Sequence, residues 1–161
     1  TGVQTCALPI CLIGLAGLAV VSVRANHGAY LRSQAMFLAE NLANRMRANT
    51  IGIWQGDYDS TGYPLTIATP PGCTTADTCS PTDLATRDQA DWSDMLAGLL
   101  PNGKATLACA RPAGAATRSA SAIQRRPPYD GTCTLRITWS EQSLAIGKAS
   151  ADTTFSWVFQ P

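Results

Sequence analysis

The sequence predicts an α+β fold in which one long N-terminal helix packs on an antiparallel β-sheet, with one additional shorter helix at the side. Three observations carry this reading. A helical pattern runs from Leu12 to about Asn49 with no proline. Ser80-Pro81-Thr82-Asp83 opens a second helical segment, and the C-terminal third alternates apolar and polar residues. A length of 161 residues suits one domain plus one appended element and leaves too little chain for two cores.

The long helix is expected to consist of parts with different surroundings. Residues 1–10 have neither an initiating Met nor the charged n-region of a secretory signal, and they resemble the in-frame translation of a sequencing-library adapter. They are read as an artefact, with the natural chain resuming near Leu12 and with Cys6 and Cys11 set aside. Cys11 to Val23 is a run of thirteen uncharged residues, short of the roughly 20 needed to span a bilayer. Residues 11–23 are therefore expected to be the truncated transmembrane part of the helix.

From residue 24 to 49 the pattern becomes amphipathic: Leu31, Ala35, Leu38, Leu42 and Met46 recur at steps of three and four. Arg24, Arg32, Glu40, Asn44 and Arg47 lie mostly away from that stripe. A helix from Leu12 to Asn49 would be roughly 57 Å long at ~1.5 Å per residue, more than a domain of this size can bury. Half of it must lie elsewhere, in a membrane or among other helices.

Residues 50–161 read as a soluble domain. Gly52, Gly56, Gly62, Pro64, Pro70 and Pro71 mark a connector, with a short strand expected at Leu65–Thr69. Ser80 supplies a capping oxygen, Pro81 sits where no N–H is needed, and Asp83 places an acid in the first turn. That helix is expected to run to about Leu100, with Leu84, Trp92, Met95, Leu96 and Leu99 buried and Pro101-Asn102-Gly103 ending it. Ala105, Leu107 and Cys109, then Cys133, Leu135, Ile137 and Trp139, then Phe155, Trp157 and Phe159 form three inward-facing sets with period two. Residues 111–130 have no apolar period and read as an exposed excursion, with Arg125-Arg126 as a solvated turn and a weak partner contact.

Composition excludes several function classes. Twelve basic and eleven acidic residues leave a net charge of +1, and no basic cluster exceeds the Arg125-Arg126 pair, so no nucleic-acid footprint exists. One histidine excludes a multi-histidine metal site and allows a hydrolytic triad only through His27, with Asp57 or Asp59 as its acid. Inside a continuous helix beside the membrane segment, His27 is not expected to sit in a pocket with an orienting acid. Asp57, Asp59 and Gly62 mimic the opening of a calcium loop, but Ala68 stands where a bidentate Glu is required. No cofactor is expected.

Cys73, Cys79, Cys109 and Cys133 are an even set that permits three pairings, among which the sequence does not choose. The simplest arrangement joins Cys73 to Cys79 across a Thr/Asp-rich loop and Cys109 to Cys133 between neighbouring strands. Zinc is the rival, but neither pair has the tight spacing of a zinc knuckle. Disulfides would place the C-terminal part outside the cytoplasm. Arg24 just after the apolar run mildly opposes that orientation.

Several stretches carry a family resemblance: Gly-Leu-Ala-Gly-Leu at 14–18, Arg-Ala-Asn-His at 24–27, Ala-Tyr-Leu-Arg-Ser-Gln-Ala at 29–35, Asn-Arg-Met-Arg-Ala-Asn at 44–49 and Gly-Asp-Tyr-Asp at 56–59. Together with a looser likeness at Trp139-Ser140-Glu141, they resemble the type IV pilus minor pilins of the PilV kind, the type IV pilus modification proteins. The resemblance implies a pilin-like fold and a structural, non-catalytic subunit that takes part in pilus initiation and assembly, and so in adhesion and twitching motility. It also implies an inner-membrane protein with a periplasmic domain that ends in a cell-surface pilus. Its partners would be other minor and major pilins, the inner membrane through the N-terminal helix, and a tip adhesin.

The basic leader and early glutamate of that family do not stand before Leu12, so the chain as written is expected to be neither processed nor assembled. The residues expected to carry helix packing and assembly are Leu12, Leu15, Leu18, Val21, Leu31, Leu38 and Leu42, although each could serve only its own domain. A type II secretion pseudopilin shares the plan. A secreted enzyme, or a soluble periplasmic binding module, is the alternative of another class.

Overall fold

The computed structural model describes residues 4–73, 79–143 and 149–161, with side chains from Leu12 onward. Part of the supposed adapter segment, the side chains of Cys6 and Cys11, and the Thr/Asp-rich loop at 74–78 lie outside the described residues. The fold is α+β, with a long N-terminal helix, an antiparallel four-stranded sheet and shorter helices.

Helix α1 (Gln4–Ala48) is continuous over 45 residues and enters the domain at Leu31. Its backbone runs through residues 4–11. The stripe Leu31, Ala35, Leu38, Leu42 and Met46 is buried, as the spacing predicts. Nothing breaks the helix until Asn49, whose side chain caps α2 (Thr50–Gln55) by accepting the Gly52 N–H at 3.3 Å. Gly56 ends α2 with φ of 79°, a left-handed conformation that costs glycine nothing, and its N–H returns to the Gly52 and Ile53 carbonyls.

The connector thus differs from the sequence reading. It holds α2, and its strand is β1 (Ser60–Tyr63), whereas Leu65–Thr69 is not a strand. Two ties explain the shift. The Asp59 carboxylate accepts the Cys109 N–H at 2.9 Å and draws the chain to the sheet one residue before Ser60, while the Leu65 N–H donates to Ser93 Oγ at 2.9 Å, outside the ladder. Only Tyr63 of β1 is buried, which leaves no alternation to read.

Helix α3 (Pro81–Leu99) begins with a reciprocal cap: Ser80 Oγ accepts the Asp83 N–H, and the Asp83 carboxylate accepts the Ser80 N–H. It buries Trp92 and Leu96 against α1, and the Trp92 indole N–H donates to the Leu38 carbonyl at 2.9 Å. Strands β2 (Lys104–Ala110), β3 (Thr132–Glu141) and β4 (Ala151–Phe159) follow, and the sheet order β1-β2-β3-β4 is an antiparallel meander. Leu107, Cys133, Leu135, Ile137 and Trp139 face α1 and α3, while Thr106, Thr134 and Arg136 face outward.

The excursion at 111–130 contains the short α4 (Ala120–Ile123) and is fastened to the domain. Arg111 and Arg118 lie over the Trp54 ring at 4.9 and 5.0 Å and pair with Asp130, and the Trp54 indole donates to the Pro127 carbonyl. Arg125 and Arg126 are exposed in the turn that follows α4. Cys73 is bonded to Cys79, and Cys109 to Cys133; the second pair stands directly opposite in the β2–β3 register.

Candidate functional site

Two surfaces of α1 concentrate unused apolar area. From Leu12 to Val23 the helix has no charge, and Leu12, Ile13, Leu15, Leu18 and Val21 are exposed, Leu18 with 70% of its surface. Over its described residues this is a helix long and apolar enough to cross a membrane. Lower down, Met36 and Phe37 lie off the buried stripe and are about half exposed. Beside Met36 a groove runs between α1 and β4, lined by Ala39, Glu40, Phe155 and Trp157.

The seven residues expected to serve assembly therefore divide. Leu12, Leu15, Leu18 and Val21 are open to a partner. Leu31, Leu38 and Leu42 are 3%, 0% and 0% exposed and are spent in the core of their own domain, with Trp92, Leu96, Leu107, Leu135 and Ile137. An apolar stripe reports that something covers it and not what does. Met36 and Phe37 escaped the sequence reading, although two large apolar residues off the phase of a stripe were the available signal.

The lower end of α1 is locked by polar contacts rather than by apolar ones alone. Arg45 Nη1 donates to Asp88 Oδ1 at 2.9 Å, and its Nε donates to Asn41 Oδ1 at 2.9 Å. The Tyr58 hydroxyl donates to Asp88 Oδ2 at 2.7 Å and accepts from Asn49 Nδ2, which also donates to the Pro81 carbonyl at 2.7 Å. Gln89 Nε2 donates to Tyr63 Oη and to the Asp57 carbonyl. Burial, reinforced by the neighbouring Asp88 carboxylate, raises the Tyr58 phenol far above its ordinary value. Burial also pushes Tyr63 up to about 12, against the opposing Gln89 bond. Arg45 and Asn49 belong to the stretch 44–49 and Tyr58 to 56–59, so two separate segments of the family resemblance meet in one knot. These groups hold one another, which is the chemistry of a lock.

His27 is not brought to Asp57 or Asp59. It is exposed on α1, 22 residues before Asn49, or roughly 33 Å along the helix at ~1.5 Å per residue. Asp57 Oδ2 accepts from the Thr82 hydroxyl and Asp59 Oδ1 from the Cys109 N–H, so both carboxylates serve the turn and the sheet. The acidic residues that mimic a calcium loop are thus used elsewhere. Among the described residues no group of three or more His, Cys, Asp or Glu is placed to hold a metal.

Comparison with known proteins adds one finding. Residues 17–90 match the family model described as Tt1218-like, type IV pilin Tt1218. The match takes in the amphipathic half of α1, α2, β1 and the first half of α3, and so both segments that form the knot. It covers 74 of 161 residues, a little under half of the chain, which is thus similar to a type IV pilin family over that stretch. No curated protein and no solved structure matches the chain.

Proposed function

We propose that this protein is a pilin-like structural subunit, held in the membrane by the exposed half of α1 and built into a fibre through the same helix. The observation that carries the reading is the uncharged, uncovered face of Leu12, Leu15, Leu18 and Val21 on a helix whose lower half is buried in its own domain. Burying a Leu or Val side chain stabilises by about 1.5–3 kcal/mol, so a row of such residues favours lipid or other helices over water. The similarity of residues 17–90 to a type IV pilin family supports the same role.

Within that role we assign a minor pilin of the PilV kind, with residues 11–23 as the membrane segment, 24–49 as the amphipathic stem and 50–161 as the periplasmic domain. Its partners are other minor and major pilins and a tip adhesin, and its contribution is to initiation, adhesion and twitching motility. The bridges Cys73–Cys79 and Cys109–Cys133 suit an oxidising compartment. Expression from the native locus tests the assignment: the protein should be found in small amounts in sheared pili, and deletion should reduce piliation or twitching. Normal pili together with a defect in protein secretion would move the assignment to a type II secretion pseudopilin.

A further inference from the structure

The exposed half of α1 projects as a lever from the point where the helix leaves the core. From Leu12 to Tyr30 the only buried residue is Gly28, three positions before the core begins at Leu31. What covers Gly28 is the carboxylate of Glu141 at the end of β3, which occupies the place where a Cβ on residue 28 would stand. Glu141 Oε2 in turn accepts from Thr153 Oγ1 on β4 at 3.0 Å and lies 4.0 Å from the Arg32 guanidinium. One turn above, Arg24 Nη1 donates to the Ser143 carbonyl at 3.2 Å. Residues 24, 28 and 32 are spaced by four and share one helix face. The β3–β4 end of the sheet therefore grips α1 from Arg24 to Arg32, most of that stretch lying above its apolar core.

We propose that Glu141 is a positioning residue that fixes the direction in which the exposed half of α1 leaves the domain, and that Gly28 is the seat its carboxylate requires. The contact itself stands on the geometry; its consequence for anchoring and assembly rests on the reading under Proposed function. Leverage gives it weight. Gly28 to Leu12 is roughly 24 Å of helix, so a bend of about 20° at Gly28, of the size that marks a helix kink, would move the tip by about 8 Å.

A glycine in a helix interior is otherwise only a weak point, less favourable than alanine. The two views of Gly28 predict opposite signs. If the glycine merely softens the helix, Gly28→Ala stiffens it. If it is a seat, the added methyl displaces the flexible end of Glu141 and loosens the lever.

The test uses the full chain in detergent micelles and measures amide residual dipolar couplings of residues 12–23 against the alignment tensor of residues 31–161. In the parent protein the couplings of both regions should fit one tensor. In Gly28→Ala and in Glu141→Ala the couplings of residues 12–23 should shrink at least twofold, while those of the domain and its melting temperature stay in place. Unchanged couplings in either variant, or larger ones in Gly28→Ala, would overturn the proposal. Should Glu141→Ala disturb the domain's own couplings, Gly28→Ala, which removes no group, still decides the sign. Because the experiment reads geometry in micelles, its failure leaves the membrane reading standing, and the loss of membrane retention in cells leaves the clamp standing.

Discussion

Leu18 and Leu38 lie twenty residues apart on one helix, yet Leu18 exposes 70% of its surface and Leu38 none. Both belong to apolar runs, and the helix backbone around them is the same. The difference is the sheet and α3, which cover residues 31–46 and do not cover Leu18. A helix thus takes its stability from its neighbours more than from its own propensity, and the lower half of α1 is a core element while the upper half is a surface awaiting a partner.

Truncating one leucine in each half should separate these roles most widely. Leu42→Ala removes a fully buried side chain and should cost about 2–5 kcal/mol of domain stability, whereas Leu18→Ala should stay within about 0.5 kcal/mol. Chemical denaturation of the two variants in one detergent checks it, and equal losses would erase the distinction between the halves.

The disulfides sharpen the same contrast from the other side of the core. Loss of the Cys109–Cys133 bridge by a double substitution to alanine should lower stability by roughly 3 kcal/mol in the chain-entropy model, since it closes a 24-residue separation. Peptide mapping under non-reducing conditions should recover 73–79 and 109–133. Neither the bridge nor its loss should alter the amide signals of residues 12–22, which are not among the buried residues of the core that the bridge ties together.

Alkaline pH loads the knot that holds the lower end of α1. Tyr63 titrates near 12 in the folded chain and near 10 when unfolded, so above pH 10 the unfolded state loses its proton first and stability falls as pH rises. Tyr58 is shifted in the same direction. Melting temperature followed from pH 9 to 12 should drop progressively, and Tyr63→Phe should flatten the slope. A slope unchanged in Tyr63→Phe would contradict this assignment.

A smaller effect is expected at the α3 cap. Ser80→Ala removes the acceptor for the Asp83 N–H and should cost about 1 kcal/mol, visible as a shifted denaturation midpoint with membrane retention untouched.

Much of this fold was legible because its signals are local. The stripe from Leu31 to Met46 and the alternation Cys133, Leu135, Ile137, Trp139 each report a periodic burden of apolar area. The Ser80–Asp83 cap lies within four residues. What was not legible depends on contacts between distant segments. β1 buries only Tyr63, and its place is set by Asp59 reaching the Cys109 N–H fifty residues away. Helix α2 hangs on one Asn49 side chain and one glycine. The seat of Glu141 on Gly28 joins residues 113 positions apart and leaves no pattern in either neighbourhood. The assembly surface was half legible: periodicity located Leu31, Leu38 and Leu42, but only the tertiary structure shows that their partner is their own domain.

The most direct test of the account places a charge on the uncovered helix face. Leu18→Asp and Val21→Asp should release the protein from washed membranes into the soluble fraction, while the melting curve of the domain stays that of the parent chain. A parent protein that is itself soluble, or charged variants that remain fully in the membrane, would contradict the claim that the exposed half of α1 is the anchor.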